Sequence, residues 1–398
     1  MNQTPAPSHV HTAIAPCGKY DPDLVRSALD SVLEPLGGMG AFVRPGERIG
    51  LKPNLLLAAA PERAITTHPA VVKAVAESVL EAGATPVLIE SAGAGRPQRR
   101  QVMEKILAVT GMRAVAGELG IEVDVSGKSR DVTYLEAALT PRFRLLEACL
   151  ELDGIINLPK LKTHTFMVFT GAVKNLFGCV PGLQKAGYHA KLDDPSLFAE
   201  MLLDLALYLN PRLNVMDAVV GLEGDGPGTG GRAVAIGYLL AGDDPVLVDA
   251  AAVRVGAIPA ERVPTLEKAK DRGLLKDLVP DGVVLKDLDG WPEKPLDLPR
   301  PALDPSGFNT TGRVERFLRR VANETFNVRP RPARGKCTGC GVCANACPVG
   351  AVRVVDRLAR VADSECIRCY CCHEFCPEGA IELELSRLGR AAERMGLM

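Results

Sequence analysis

Aromatic residues are scarce in this sequence of 398 residues: they make up 4%, with a single Trp. That scarcity weakens any function built on stacking platforms for single-stranded nucleic acid. Charge of one sign is missing too. Lys plus Arg number 47 and Asp plus Glu 48, a formal net charge of -1. The whole chain therefore offers no electrostatic footprint for nucleic acid and no polybasic membrane anchor. No apolar run approaches the roughly 18–20 residues of a membrane span. The N-terminus, MNQTPAPSHVHTAIAPCGKY, has no basic region followed by an apolar stretch, so no signal peptide is expected. Cysteine is nearly absent from the first 336 residues, which hold only Cys17, Cys149 and Cys179. Nine more crowd between Cys337 and Cys376. A secreted disulfide scaffold would spread its cysteines over a small chain. The expectation is a cytoplasmic protein of a reducing compartment, with no nucleic-acid or membrane partner.

What is present reads as an α/β body. ERIGLKPNLLL (47–57) is a buried strand, THPAVVKAVAESVLEAG (67–83) a helix with Pro69 at its first turn and Gly83 at its stop, and ATPVLIESAGAG a second strand running into glycines. Strand, helix, strand over that span is a βαβ unit, hence a parallel sheet. A further helix (98–111) and strand (121–125) follow. The second half repeats the style, with strands at 153–159, 213–221 and 233–242 and helices at 195–209 and 245–256. The expected body is two-lobed and runs over residues 1–312. Residues 313–332 read as a basic linker, residues 333–385 as a small cysteine-rich α+β domain, and residues 386–398 as a tail.

The cysteine domain is an internal repeat of 29 residues. Cys337-x2-Cys340-x2-Cys343-x3-Cys347-Pro348 returns as Cys366-x2-Cys369-x2-Cys372-x3-Cys376-Pro377. A tight loop with a cysteine at every third residue aims three thiolates inward while its free amides face the sulfurs. A zinc site would instead want two pairs of ligands. The repeat resembles the bacterial ferredoxin that carries two [4Fe-4S] clusters. In that family the fourth ligand comes from the other loop. The resemblance thus implies Cys337, Cys340, Cys343 and Cys376 for one cluster, and Cys366, Cys369, Cys372 and Cys347 for the other. Cys371, beside Cys372, is a bystander or a rival ligand; spacing favours Cys372.

The densest polar stretch of the body is NLPKLKTHTFMVFTGAVKNLFGCVPG (157–182). It follows a strand and holds Lys160, Lys162, His164, Lys174 and Asn175. A helix beginning near Thr170 and Gly171 would leave free amides that favour an anion. Lys52 and Asn54 end the first strand, His68 stands at a helix start, and Glu90 ends the next strand. Such residues meet on the carboxyl edge of a parallel sheet, where α/β sites lie. MDAVVGLEGDGPGTGG (216–231) adds Asp217 and Glu223 in a glycine-rich stretch, where backbone can approach a ligand closely. Its acids could also bind a divalent ion, although their spacing matches no known loop.

With these residues in view, the body resembles the domain of unknown function 362 family, through KPNLL, THP, ESAG, PKLKTH, TGAVKNLFG, EGDGPG and AGDDPVLVDA. Members with a two-cluster ferredoxin tail are common in it. A remoter likeness is to nickel-pincer lactate racemases, in the order His164, Thr170-Gly171, Lys174, Pro181-Gly182. Thr170 stands there for a serine and Ala172 for a second glycine. That likeness implies a cleft lined by His164 and Lys174.

The expectation for function is an iron–sulfur oxidoreductase. Two [4Fe-4S] clusters would exchange electrons with an anionic substrate or cofactor in the α/β cleft, fed by a redox partner protein or reductant. His164 and Lys174 are the expected catalytic pair. Lys52, Asn54, His68, Glu90, Lys160, Lys162, Thr170, Gly171, Asn175, Asp217 and Glu223 are the expected substrate-binding set. Two alternatives stand beside it: an electron carrier or maturation factor whose body binds a partner protein, and an isomerase-like body with structural clusters.

Overall fold

The computed structural model describes residues 10–93, 99–276, 278, 282–299, 328–386, 390 and 394. Most of the expected linker and C-terminal tail lies outside them, as does the glycine loop after Gly93.

The body is built on one ten-stranded, mostly parallel sheet. Its early strands are β1 (Thr12–Pro16), β2 (Arg48–Pro53), β3 (Thr85–Ile89) and β4 (Glu122–Asp124). A separate antiparallel pair follows, β5 (Ser129–Thr133) and β6 (Arg142–Leu146). The sheet resumes with β7 (Gly154–Leu158), β8 (Lys160–His164), β9 (Val168–Thr170), β10 (Leu213–Gly224), β11 (Gly231–Gly242) and β12 (Val283–Leu285). The order β12-β1-β11-β10-β7-β2-β3-β4 carries β8 and β9 off β10. β2 runs parallel to both β3 and β7, so their carboxyl ends share an edge.

Both faces of the sheet are covered, as a mainly parallel sheet requires. Side chains alternate between two apolar cores. Leu213 and Val215 of β10 enter one; Met216 and Ala218 enter the other. Helices Pro22–Leu33, Pro69–Glu81, Arg100–Val109 and Met112–Leu119 supply the first core. Pro195–Leu209, Pro245–Val255 and Pro264–Asp271 supply the second. Three of these helices start as their sequences foretell, with a Pro in the first turn and a side chain of Asp21, Asp194 or Asp244 accepting from the amides behind it.

The tail is a small module with two antiparallel pairs. β13 (Arg329–Pro332), β14 (Val352–Val355), β15 (Leu358–Val361) and β16 (Ile381–Glu384) join as β13 with β16 and β14 with β15. Arg329–Pro332, read from sequence as the end of the linker, is thus a strand of the module. The repeat of 29 residues returns in the backbone. Gly339 and Gly341 are left-handed, and so are Arg368 and Tyr370, each 29 positions on. A short helix follows in both copies, Val342–Ala346 and Cys371–Glu374. Arg368 and Tyr370 hold a conformation that glycine adopts freely and other residues adopt at a cost.

Candidate functional site

The carboxyl edge of β2, β3 and β7 gathers a buried polar network. Lys52 is wholly buried and pairs with Glu90 at 2.8 Å. A buried charge of this kind needs a partner. Its Nζ also donates to the carbonyl of Pro53 at 2.8 Å. Glu90 accepts from the amides of Leu55 at 3.2 Å and Ser91 at 2.8 Å. Asn175 donates to Asn157 Oδ1 at 2.7 Å and to the Lys52 carbonyl at 3.1 Å. Asn54 donates to Asn175 at 3.0 Å and accepts from Lys162 Nζ at 2.8 Å. Burial, helped by the charge of Lys174, pushes Lys162 down to about 7, because its two neutral acceptors, Asn54 and the Ile65 carbonyl, do not replace the lost water.

A cavity of about 60 Å³ opens beside this network. Of the residues expected from sequence, Asn54, Glu90, Lys174 and Asn175 line it. Ser91, Lys185, His189, Glu374 and Phe375 line it too, and sequence reasoning missed all five. Lys185 and His189 lie four apart on helix Gly182–Lys191, a same-face spacing that was the available signal. Lys185 donates to Ser91 Oγ at 2.6 Å and to the Ala92 carbonyl at 3.1 Å. Burial lowers it to about 8. Burial lowers Lys174 as well, with Glu374 pulling the other way. Glu374 and Phe375 belong to the second cysteine loop, so the tail module roofs a cavity of the body.

Several expected residues are elsewhere. His164 Nδ1 accepts from the amides of Phe166 at 3.0 Å and Met167 at 3.4 Å. The proton therefore sits on Nε2, which has no hydrogen-bond partner. Glu374 Oε2 is 3.9 Å away, too far for a hydrogen bond. His164 is buried and does not line the cavity. Lys160 pairs with Asp217 at 2.8 Å, both side chains wholly buried. Asp217 also accepts from Tyr20 Oη at 2.8 Å and from the His68 amide at 2.9 Å. His68 caps helix Pro69–Glu81 and stacks on Tyr20 at 3.6 Å, and burial pushes it to about 4. Lys160, His68 and Asp217 thus satisfy one another away from the cavity. Glu223 accepts from the Asp297 amide at 2.9 Å and pairs with Arg232 at 2.7 Å.

The expected anion site at Thr170–Gly171 is filled by the chain itself. Helix Ala172–Asn175 starts there, and its first amides, of Ala172 and Val173, donate to the carboxylate of Asp249. Burial raises Asp249 to about 7. A Cβ on Gly171 would run into that carboxylate. Thr170 Oγ1 is buried without a partner.

The glycine-rich stretch also has a different use. A Cβ on Gly228 would meet the carbonyl of Glu374, and one on Gly230 the ring of His373. Thr229 Oγ1 donates to the Cys376 carbonyl at 2.8 Å. The close backbone approach read from these glycines is an approach to the tail module. The neighbouring acids are spent on structure: Asp244 caps helix Pro245–Val255 and Asp243 meets His11 at 3.2 Å. Among the described residues, no three His, Cys, Asp or Glu side chains converge on a single ion.

In the module, Cys337, Cys340, Cys343 and Cys376 line one cavity, the grouping implied by the ferredoxin resemblance. Cys372 has Cys369, Cys366 and Cys347 within electrostatic reach, and also Cys343 of the other set. Amide donors already point at sulfur: Ala351 N to Cys347 Sγ and Ala380 N to Cys376 Sγ, both at 3.2 Å and again 29 residues apart. Soft thiols in two sets of four, with amides on their sulfurs, fit iron–sulfur cubanes. Cys371 is wholly buried, hydrogen-bonds Cys369 and packs with Phe375 and Leu56, so it faces the body.

Comparison with known proteins gives two family matches. A model described as domain of unknown function (DUF362) matches residues 49–254, and one described as a 4Fe-4S dicluster domain matches residues 330–377. A thylakoid-associated protein of Synechocystis sp. is 36% identical over 256 residues, 64% of this chain and 77% of that protein. Among solved structures, the lactate racemase apoprotein from Thermoanaerobacterium thermosaccharolyticum aligns with a TM-score of 0.34 and 13% identity, over 57% of this chain and 54% of that one. A structural-genomics target from Thermotoga maritima aligns with a TM-score of 0.34 and 12% identity, over 54% of each chain. The match spans about half the length of these solved chains. No helix among the described residues is long and apolar enough to cross a membrane.

Proposed function

Since the chain belongs to the DUF362 family and carries a 4Fe-4S dicluster domain, we propose that it is an iron–sulfur redox protein whose module exchanges electrons with an anionic substrate or cofactor held in the body's cavity. Cys337, Cys340, Cys343 and Cys376 would hold one cluster, and Cys366, Cys369, Cys372 and Cys347 the other. Each cluster, when bound, supplies one-electron exchange. One observation carries the reading: Glu374 and Phe375, between ligand cysteines Cys372 and Cys376, line the same cavity as Lys174, Lys185 and His189.

The chain's own residues then have defined work. Lys174 supplies positive charge to the ligand. Lys52 and Asn175 fix Glu90 and Asn54 at the cavity wall through the bonds described above. His164, buried outside the cavity with Nε2 3.9 Å from Glu374 Oε2, suits a positioning role more than contact with the ligand. A concave cavity with several charged and polar side chains in its wall supports a small-molecule site over a partner-binding body, for which a broad apolar patch would be expected.

The test uses anaerobic holoprotein, reduced with dithionite and freed of excess. It is mixed with nitrite, sulfite or pyruvate while cluster absorbance is followed. Recovery of the oxidised spectrum with at least one of them, slowed in Lys174→Ala, supports the reading. Recovery with none, or equal rates in Lys174→Ala, refutes it.

A further inference from the structure

We infer that the cavity beneath the second cysteine loop is a binding site for one small monovalent oxyanion, built around Lys174 and His189. The inference deepens the electron-exchange reading by naming its ligand class. Three independent observations meet in it.

The first is size. The space is about 60 Å³. On this measure one buried water needs about 10–15 Å³, so the cavity holds roughly four to six waters. Sites for drug-sized ligands and nucleotides run to several hundred Å³. A ligand of a few non-hydrogen atoms fits; a dinucleotide or a flavin does not.

The second is a group left without its partner. His189 is 3% exposed, lines the cavity, and its Nδ1 has no hydrogen-bond partner. Its ring is fixed by stacking on Phe198 at 4.5 Å and by the edges of Phe166 and Phe177, so it cannot swing away to find one. Burying a polar nitrogen unpaired costs free energy. With the ring proton on Nδ1, a ligand oxygen accepting from it removes that cost. Burial, with Lys174 nearby, pushes His189 down to about 3, so the ring stays neutral.

The third is charge. The wall carries Lys174 and Lys185 against Glu374, while Glu90 is already neutralised by Lys52. Among the described side chains, and apart from the charge of the cluster itself, one positive charge remains over. Lys185 is held by Ser91 and the Ala92 carbonyl. Among the described residues Lys174 makes no hydrogen bond; its electrostatic neighbours are Glu374 and Cys371. Lys174 therefore has donors to spare, and one negative charge balances the site. Ammonium to oxyanion bonds are the strong kind.

The experiment is calorimetric titration of oxidised, anaerobic holoprotein at pH 7 with formate, acetate, nitrite and bicarbonate, and with citrate and AMP as oversized controls. Saturable one-to-one binding of at least one small probe is expected. It should weaken about tenfold or more in Lys174→Gln and weaken in His189→Phe, which keeps the ring packing. Iron content and circular dichroism identify any variant that fails to fold, and the other variant then carries the test. No small-probe binding by the wild type, binding of citrate or AMP alone, or unchanged affinity in a folded variant overturns the inference. No electron flows in this titration. Small-probe binding without cluster reoxidation would therefore defeat the electron-exchange reading and leave the site standing.

Discussion

The carbonyl of Asp225 in the body accepts a hydrogen bond from Nε2 of His373 in the tail module at 2.9 Å. His373 adjoins Cys372, so a backbone group of the glycine-rich loop is tied one residue from an expected cluster ligand. That bond requires a proton on Nε2, whereas the contact of Nδ1 with the Ile381 carbonyl at 2.5 Å requires one on Nδ1, so both form together only in the doubly protonated ring.

This contact predicts what a side chain in the loop will do. In Gly228→Val or Gly230→Ala, the new carbons meet Glu374 and His373 backbone or ring atoms, which cannot shift cheaply. Module and body should separate while each keeps its own fold. Limited proteolysis between residues 299 and 328 should speed up, with iron per chain unchanged. Equal proteolysis in variant and wild type would contradict the docking role.

The two adjacent cysteines should behave differently. Cys372→Ala should lose about half the iron, whereas Cys371→Ala should keep it, because Cys371 packs against Phe375 and Leu56. Iron and sulfide analysis of anaerobic protein decides this. Equal loss in both would make Cys371 a ligand.

Lys52→Met alone leaves Glu90 charged and buried. A cost of about 3–5 kcal/mol is expected. Adding Glu90→Leu should restore part of it. Urea denaturation under anaerobic conditions measures both, and a double variant no more stable than the single one would argue that Glu90 is held by its amide donors and not by Lys52.

Lys162 gives a pH signature. Its folded value, about 7, lies below the ordinary lysine value of about 10.4. Between these values the unfolded chain binds a proton that the folded chain does not, so this group's contribution to stability rises with pH. Against Lys162→Met, the wild type should gain stability steadily from pH 7 to pH 10. A difference that stays flat over that window would show that Lys162 keeps its charge in the fold.

The parts of the site that sequence revealed are those set by short-range rules. The cysteine repeat is local, and its resemblance to the two-cluster ferredoxin implies how the thiols group. Lys52, Asn54 and Glu90 were legible because parallel strands bring their carboxyl ends to one edge. What sequence hid is set by distance along the chain. Asp249 takes the amides of Ala172 and Val173 from 77 and 76 residues away, so a helix start that looked free is filled. Glu374 and Phe375 sat inside a motif already explained by metal binding, and nothing local told that their side chains face the other domain. His68 and Lys160 fit a site pattern but found partners in Tyr20 and Asp217 first.

Glu374 and Phe375, which roof the cavity, lie just after Cys372, an expected ligand of the second cluster. Loss of that cluster to oxygen would release the loop and with it Glu374 and Phe375. Metal occupancy would then decide whether the pocket exists at all. An empty chain would hold neither electrons nor ligand, so the protein would fall silent before it could run uncoupled chemistry.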